Sequence, residues 1–382
     1  MSTVPLERII ISGGGTGGHI FPALSIADAI RRTNPECQLL FVGAEGKMEM
    51  TRVPQAGYEI KALPVRGLDR KHLWRNISVV RKLLKSLTMA KNIIRDFKPQ
   101  AVVGVGGYAS LPTLLTAQNM GIPTIIQEQN SFAGKANKRL AARAAYIAVA
   151  YEGMERFFPK EKIRLTGNPI RPAIEKGELP ERTEAAQKMG LPDASKPILL
   201  SVGGSLGAKT LNDSIAAGLE QIAHAGVALI WQTGKTYYEE ALARYQALPE
   251  ALRTHMVVMP FVEHMDWAYG AADLMISRAG ASTVSEIEVL GMPSILVPSP
   301  NVAEDHQTHN ARALSTRGAA VLVPDAEARE KLVPEALKLI TDKEALHSIS
   351  QRAKEMALRN APEQIVKLIE AAISADRENG RE

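Results

Sequence analysis

The 382-residue sequence has a single cysteine, Cys37. An internal disulfide is therefore excluded, and the apolar run "CQLLFVG" around it reads as core in a reducing compartment. No apolar stretch reaches the roughly 18–20 residues that a membrane-spanning helix needs. The N-terminus turns polar at Glu7-Arg8, which argues against an export signal. No Asp-x-Asp pair occurs, so a divalent cation bridging a phosphorylated ligand has no evident ligand set, and no metal or other cofactor is expected. Low-complexity sequence is scarce as well. With 45% hydrophobic and 23% charged residues, disorder is expected only at the ends, "MSTVPL" and "SADRENGRE".

What is present is length enough for two stable cores and many short apolar runs alternating with segments of helical period. The strand candidates are "RIIISG", "QLLFVGA", "AVVGVGG", "PTIIQEQ" and "YIAVA", then "PILLSVGG", "ALIWQTG", "MVVMPF", "LMISRAG", "PSILVPS" and "AAVLV". Each is uniformly apolar rather than alternating, which suits parallel strands covered on both faces. The chain also repeats itself coarsely. "PILLSVGGSLGAKTLNDSIAAGL" follows the same strand, glycine loop and helix plan as "RIIISGGGTGGHIFPALSIADAI". This predicts two doubly wound, Rossmann-like α/β domains, joined near the Pro- and Gly-bearing "LTGNPIRPAIEKGELPERTE" and facing a deep cleft. The expected boundaries are 1–170 and 171–356.

The net charge of +5 is unevenly spread. Eleven Lys or Arg against two Asp between Lys61 and Gln100 give +9 locally, leaving about −4 elsewhere. Within that segment Leu73, Ile77, Val80, Leu84 and Leu87 fall at helical spacing. Ahead of them "HLW" is ringed by Arg70, Lys71 and Arg75, so Leu73 and Trp74 among these cations read as an interfacial patch for an anionic membrane. No aromatic stacking platform accompanies the charge, which disfavours nucleic acid as a partner.

Three glycine-bearing turns precede helices. The first satisfies G-x-G-x-x-G with Gly13, Gly15 and Gly18, but the next acidic candidate, Glu45, is too far along for a dinucleotide fingerprint, and His19-Ile20 replaces the Lys-Ser/Thr of a P-loop. A histidine at the mouth of an anion-binding loop points to proton chemistry beside a phosphate, against the plainer reading of a helix-start histidine bonding backbone. "GGSLGAKTLN" offers a second anion turn with the Ser205 hydroxyl. "SRAGASTVSE" places Gly280 to Thr283 at a helix N-terminus, suited to a diphosphate, with Glu286 one turn in, where a carboxylate accepts ribose hydroxyls. "EQNSFAGKANKR" and "EDHQTHNA" crowd amides and imidazoles as sugar recognition requires. His306 and His309 alone make a weak metal pair.

Taken together and in order, "GGTGGHIFPALSIA", "GGYASLP", "EQN", "TGNPIR", "GGSLGA", "RAGASTVSE" and "DHQTHNA" resemble the MurG family, peripheral membrane glycosyltransferases of peptidoglycan synthesis. The resemblance spans nearly the whole chain. It implies a glycosyltransferase-B fold in which 357–382, with the helix "APEQIVKLIEAAIS", returns to complete the first domain, and transfer of N-acetylglucosamine from UDP-N-acetylglucosamine to a polyprenyl-pyrophosphate-linked muramyl peptide at the cytoplasmic face of a bacterial plasma membrane. By motif match, Val262 backbone meets uracil, Ser205 and Ala281, Ser282 and Thr283 hold the diphosphate, and Glu286 takes the ribose. Val284, Ser285 and Asn310 are counted with the substrate-binding residues. His306, Gln307 and Asn130 read the sugar, and Arg171 sits at a hinge near the nucleotide. Thr16, Gly17, Gly18 and His19 face the sugar and the acceptor pyrophosphate, while Gly106, Gly107, Tyr108 and Ser110 line the acceptor side. His19 is the first candidate for the general base and Glu128 the second. Alternatives on the same fold are a diacylglycerol glycosyltransferase, a UDP-N-acetylglucosamine epimerase, or a silent nucleotide-sugar-binding protein.

Overall fold

A computed structural model describes residues 5–65, 76–204, 206–302 and 305–380. The chain divides into two compact units, Met1–Arg171 with Leu358–Glu382, and Pro172–Ala357.

Unit 1 is built on strands β1 (Arg8–Ser12), β2 (Gln38–Ala44), β3 (Glu59–Leu63), β4 (Ala101–Gly104), β5 (Thr124–Glu128), β6 (Tyr146–Val149) and β7 (Ile163–Leu165). They form one parallel sheet in the order β3-β2-β1-β4-β5-β6-β7. Successive residues of β1 serve opposite faces. Ile9 and Ile11 join Leu39, Phe41 and Val103 beneath helix Gly17–Thr33, whereas Ile10 joins Leu40, Val42 and Val102 on the face of helices Asn76–Phe97 and Ser110–Asn119. Both faces are covered, which is why the strand sequences read as uniformly apolar. Cys37 lies in this core, where burial pushes its thiol up to about 11.

The last helix, Ala361–Asn379, sets Ile365, Val366, Ile369, Ala372 and Ile373 into the same layer as Ile9 and Ile11. The frayed end expected of "SADRENGRE" is thus helical through Asn379. Leu6 of "MSTVPL" is buried too; residues 1–4 and 381–382 lie outside the described residues.

Unit 2 repeats the plan with β8 (Ile198–Val202), β9 (Ala228–Gln232), β10 (Met256–Met259), β11 (Leu274–Ser277), β12 (Ser294–Leu296) and β13 (Val321–Leu322), in the order β10-β9-β8-β11-β12-β13. Leu199, Leu229, Trp231 and Ile276 meet helices Lys209–Ala217 and Ala328–Thr341 on one face. Both sheets are therefore doubly wound, as the pattern predicted. In each, the order reverses beside the first strand, between β1 and β4 and between β8 and β11. Loops at the carboxyl ends of those pairs frame the crevice where open α/β sheets bind ligands.

Two strands and one helix face depart from the sequence reading. β3 and β7 are edge strands: β3 alternates exposed and covered residues, and β7 has three residues. Neither shows the uniform apolar run of a buried strand. In helix Asn76–Phe97 the buried positions include Ser86, Ala90 and Ile94, while Leu84 of the expected apolar stripe is 61% exposed. Small side chains allow the close approach there, and a search for large apolar residues does not see them.

Candidate active site

In unit 1 the glycine loop after β1 packs against the loop after β4. Gly14 N–H donates to Gly106 C=O at 3.3 Å. Gly107 has φ 87°, and a Cβ there would lie 2.3 Å from Gly14 C=O oxygen. Only glycine permits both the conformation and the approach. His19 opens the helix Gly17–Thr33, with Nδ1 3.1 Å from Gly14 C=O and 3.3 Å from Thr16 Oγ1. Thr16, Gly17 and Gly18 form the partly open helix start around it. The acidic residue that meets this loop is not Glu45, which is exposed, but Glu49, which is 1% exposed. Its carboxylate accepts from Gly15 N–H at 2.8 Å and from Ala44 N–H at 2.9 Å. The Gly15 N–H is thereby turned onto an internal anion.

Tyr108 is 55% exposed beside this loop pair, while Ser110 is fully buried and does not present its hydroxyl as an acceptor-side residue should. Glu128 likewise differs from expectation. It is 2% exposed, and its oxygens accept from Gly134 N–H at 3.0 Å, Asn137 Nδ2 at 2.8 Å, and Asn130 N–H and Nδ2 at 3.2 and 3.4 Å. Burial holds this carboxyl above the ordinary range, opposed by those four donors. The arrangement clamps the loop that presents Asn130 and leaves Glu128 poorly placed as a base. Behind it, Gln127, Gln129 and Asn168 form a buried amide network, with Gln129 Nε2 donating to Val105 C=O at 2.7 Å and Asn168 Nδ2 to Gln129 C=O at 2.9 Å. Arg171 lies at the end of unit 1 with its guanidinium 5.5 Å from the Phe21 ring centroid.

Unit 2 carries an open cavity of about 400 Å³ at its switch point. Gly203, Gly204, Gly207 and Lys209 line it from the loop after β8, Arg278, Gly280 and Thr283 from the turn after β11, and Ser299, Asn301 and Gln307 from the next. Gly280 is the N-cap of helix Ala281–Leu290, so its first N–H groups and positive dipole end face this space. Gln307 Oε1 accepts from Ser299 N–H at 2.9 Å. Arg278 ties the rim together: its guanidinium donates to Asp325 at 2.5 Å, Val297 C=O at 3.0 Å and Pro298 C=O at 3.2 Å, and Asp325 accepts from Thr210 at 3.1 Å.

Of the expected binding residues, Thr283 and Gln307 line the cavity, and His306 opens its helix behind Asp305. Others do not reach it. Asn310 is fully buried and donates to Ala279 C=O at 3.2 Å, supporting the turn from below. Glu286 is 4% exposed and accepts from Tyr269 Oη at 2.8 Å; Val262, Ala281, Val284 and Ser285 are buried, and the Ser282 hydroxyl is enclosed. Ser205, Arg70, Lys71, Leu73, Trp74 and Arg75 lie outside the described residues. Glu49, Arg278 and Asp325 were missed in the sequence. For Arg278 and Glu49 the available signal was a charged residue within a few positions of a glycine turn or strand end; Asp325 is 47 residues from its partner and gave none. Among the described residues no group of three or more His, Cys, Asp or Glu is arranged to hold a metal ion.

Residues 9–149 match the glycosyltransferase family 28 N-terminal domain and residues 198–365 the glycosyltransferase family 28 C-terminal domain. The chain is 56% identical over 359 residues to the UDP-N-acetylglucosamine--N-acetylmuramyl-(pentapeptide) pyrophosphoryl-undecaprenol N-acetylglucosamine transferase of Porphyromonas gingivalis, covering 94% of each. The enzyme of the same name from Phocaeicola vulgatus is 54% identical over 375 residues, covering 98% of this chain and 99% of that one. The crystal structure of Acinetobacter baumannii MurG matches with a TM-score of 0.77 and 29% identity over 96% of this chain and 99% of that chain. The chain belongs to glycosyltransferase family 28 and is a hexosyltransferase of the MurG type with two parallel-sheet units of glycosyltransferase-B class.

Proposed function

We propose that the enzyme transfers N-acetylglucosamine from UDP-N-acetylglucosamine to the 4-hydroxyl of undecaprenyl-pyrophosphoryl-N-acetylmuramyl-pentapeptide, a step of peptidoglycan and cell-wall synthesis. The observation that carries this reading is the polar cavity at the switch point of unit 2, in a chain whose relatives bear that name over nearly their full length. The diphosphate sits against the N–H groups at Gly280 to Thr283 and the Gly203–Lys209 loop, with Gln307 toward the sugar. Unit 2 is then the donor unit and unit 1 the acceptor unit.

The acceptor oxygen attacks the anomeric carbon as the bond to the diphosphate breaks. UDP leaves with the electron pair, the configuration inverts, and the hydroxyl proton passes to a base. Helix N-termini stabilise the departing charge. His19 is the base, at the meeting of the two unit 1 loops, and Glu128 holds Asn130 in place. A positioned base contributes ~10²–10⁴-fold.

The enzyme acts at the cytoplasmic face of the plasma membrane as a peripheral protein. Leu84 supports this, standing exposed among the exposed Arg81, Lys82 and Lys85 on the helix that follows the basic "HLW" segment. Among the described residues no helix is long and apolar enough to cross a membrane. Flotation with anionic vesicles at low salt tests this: retention is expected, and its absence removes the membrane claim. The transfer itself is tested by UDP release from UDP-N-acetylglucosamine with and without a short-chain polyprenyl-pyrophosphoryl-muramyl-pentapeptide. Acceptor-dependent release is expected; release without acceptor would replace the transferase reading with hydrolysis or epimerisation.

A further inference from the structure

The peptide group joining Gly14 to Gly15 is bonded on both edges. Its N–H donates to Glu49 Oε2 at 2.8 Å, and its C=O faces His19 Nδ1 at 3.1 Å. The peptide is trans, so the two partners lie on opposite sides of one rigid, resonance-linked plane. A carbonyl oxygen only accepts; His19 Nδ1 therefore carries the proton in this bond, and the basic lone pair of the neutral ring falls on Nε2. The Thr16 hydroxyl, also near Nδ1, is compatible with this because it accepts as readily as it donates.

The surroundings leave Glu49 little choice of position. Its other oxygen accepts from Ala44 N–H at the end of β2, and the carboxylate is buried. Side chains at Gly14 or Gly43 would collide with it, at 2.2 Å and 2.6 Å. On the far side of the imidazole, a Cβ at Gly106 would come within 2.9 Å of His19 Nε2. Glycines thus make room at both ends of the chain of contacts.

We infer that Glu49 is a positioning residue for His19, acting through the Gly14–Gly15 peptide. A carboxylate that accepts from the N–H draws negative charge onto the carbonyl oxygen of the same group. That strengthens the bond to Nδ1–H, fixes the tautomer, and favours the imidazolium formed when Nε2 takes the acceptor proton. The roles match the carboxylate that orients histidine in hydrolase triads, with one peptide group interposed. The inference rests on the reading of His19 as base.

The test combines turnover of His19→Ala, Glu49→Gln and the double variant with imidazole ¹H–¹⁵N spectra of the histidine-labelled enzyme, the His19 signals being assigned by their loss in His19→Ala. Wild-type His19 is expected as the Nδ1–H tautomer. Glu49→Gln is expected to lower kcat on the order of tenfold, less than the loss of the base itself, with KM for UDP-N-acetylglucosamine nearly unchanged. It should shift His19 toward a mixed tautomer and have no further effect in the His19→Ala background. Tyr58→Phe, which removes a 2.5 Å bond to Asp28 elsewhere in unit 1, should lower the melting temperature and leave kcat unchanged, separating stability from positioning. An Nε2–H tautomer in the wild type overturns the inference even if Glu49→Gln fails to fold. So does an equal loss on adding Glu49→Gln to His19→Ala, or an unchanged kcat and spectrum in Glu49→Gln alone. Turnover of His19→Ala close to wild type would instead sink the base assignment, while the spectra still decide whether Glu49 sets the tautomer.

Discussion

After β1 and after β8 the chain makes the same move: a strand ends at the switch point of its sheet, glycines turn it, and a helix follows. The contents of the two turns differ. In unit 1 the space is filled from within, since Glu49 takes the Gly15 N–H, Gly107 presses on Gly14, and His19 closes the loop from the helix side. In unit 2 a Cβ at Gly204, where φ is 80°, would meet nothing within 4 Å, and the loop borders a 400 Å³ cavity rimmed by Arg278 and Asp325. One supersecondary unit has been used twice, once closed around a side chain and once left open to a cavity; under the function proposed above, the first serves proton transfer and the second an anion. The identity of the residue set behind the glycines decides which.

The largest effect that tests this contrast is His19→Ala. If His19 is the base, turnover should fall ~10²–10⁴-fold while the affinity for UDP, measured by calorimetry, changes little, because His19 and the cavity beside Gly204 lie on different units. Turnover within a few-fold of wild type would erase the distinction. Next comes the packing difference. Gly107→Ala combines a left-handed φ with a backbone collision and should cost about 3–5 kcal/mol in urea unfolding, whereas Gly204→Ala should cost about 1 kcal/mol. Equal losses would mean that both turns are equally filled.

The buried glutamates sharpen the same comparison. Glu49 is met by two backbone N–H groups, but Glu288, on helix Ala281–Leu290 of unit 2, is pushed by burial to about 8, with Arg317 opposing. Between its ordinary value of 4.5 and about 8 the folded chain keeps a proton that the unfolded chain has released. Stability therefore falls as pH rises through that window, by an amount on the order of 2–4 kcal/mol. Glu288→Gln should flatten this slope and raise stability at pH 8; an unchanged slope would place the charge elsewhere. The smallest effect is Thr283→Ala, which should weaken UDP binding about fivefold, roughly 1 kcal/mol, with the acceptor KM unchanged.

The sequence exposed some of this better than the rest, for physical reasons. Ile9 to Ile11, Leu199 and Leu200 are buried from both faces, so their strands were plain as apolar runs; Glu59 to Leu63 and Ile163 to Leu165 lie at sheet edges and carry no such signature. Glycines at 13 to 18, 203 to 207 and 280 marked the turns because only turns and close approaches demand them there. Side-chain direction was not legible. Asn310, Ser110 and Glu128 have the chemistry of ligand contacts but point into the protein, where they hold loops or fill space. Conversely, Glu49 serves a loop 34 residues before it, and Asp325 serves Arg278 across 47 residues, pairings that only the parallel crossovers create.

The helix Ala361–Asn379 lays its apolar face in the core of unit 1, although the whole of unit 2 precedes it in the chain. For a protein made from its N-terminus at ~5–20 residues per second, this sets an order of events. A nascent chain that has emerged only as far as Arg171 still exposes the surface that Ile365 and Ile369 will cover, and unit 2 is synthesised in full while it waits. Unit 1, begun before unit 2, is therefore finished after it, and the His19 loop reaches its native support only once residues 361–379 have been made.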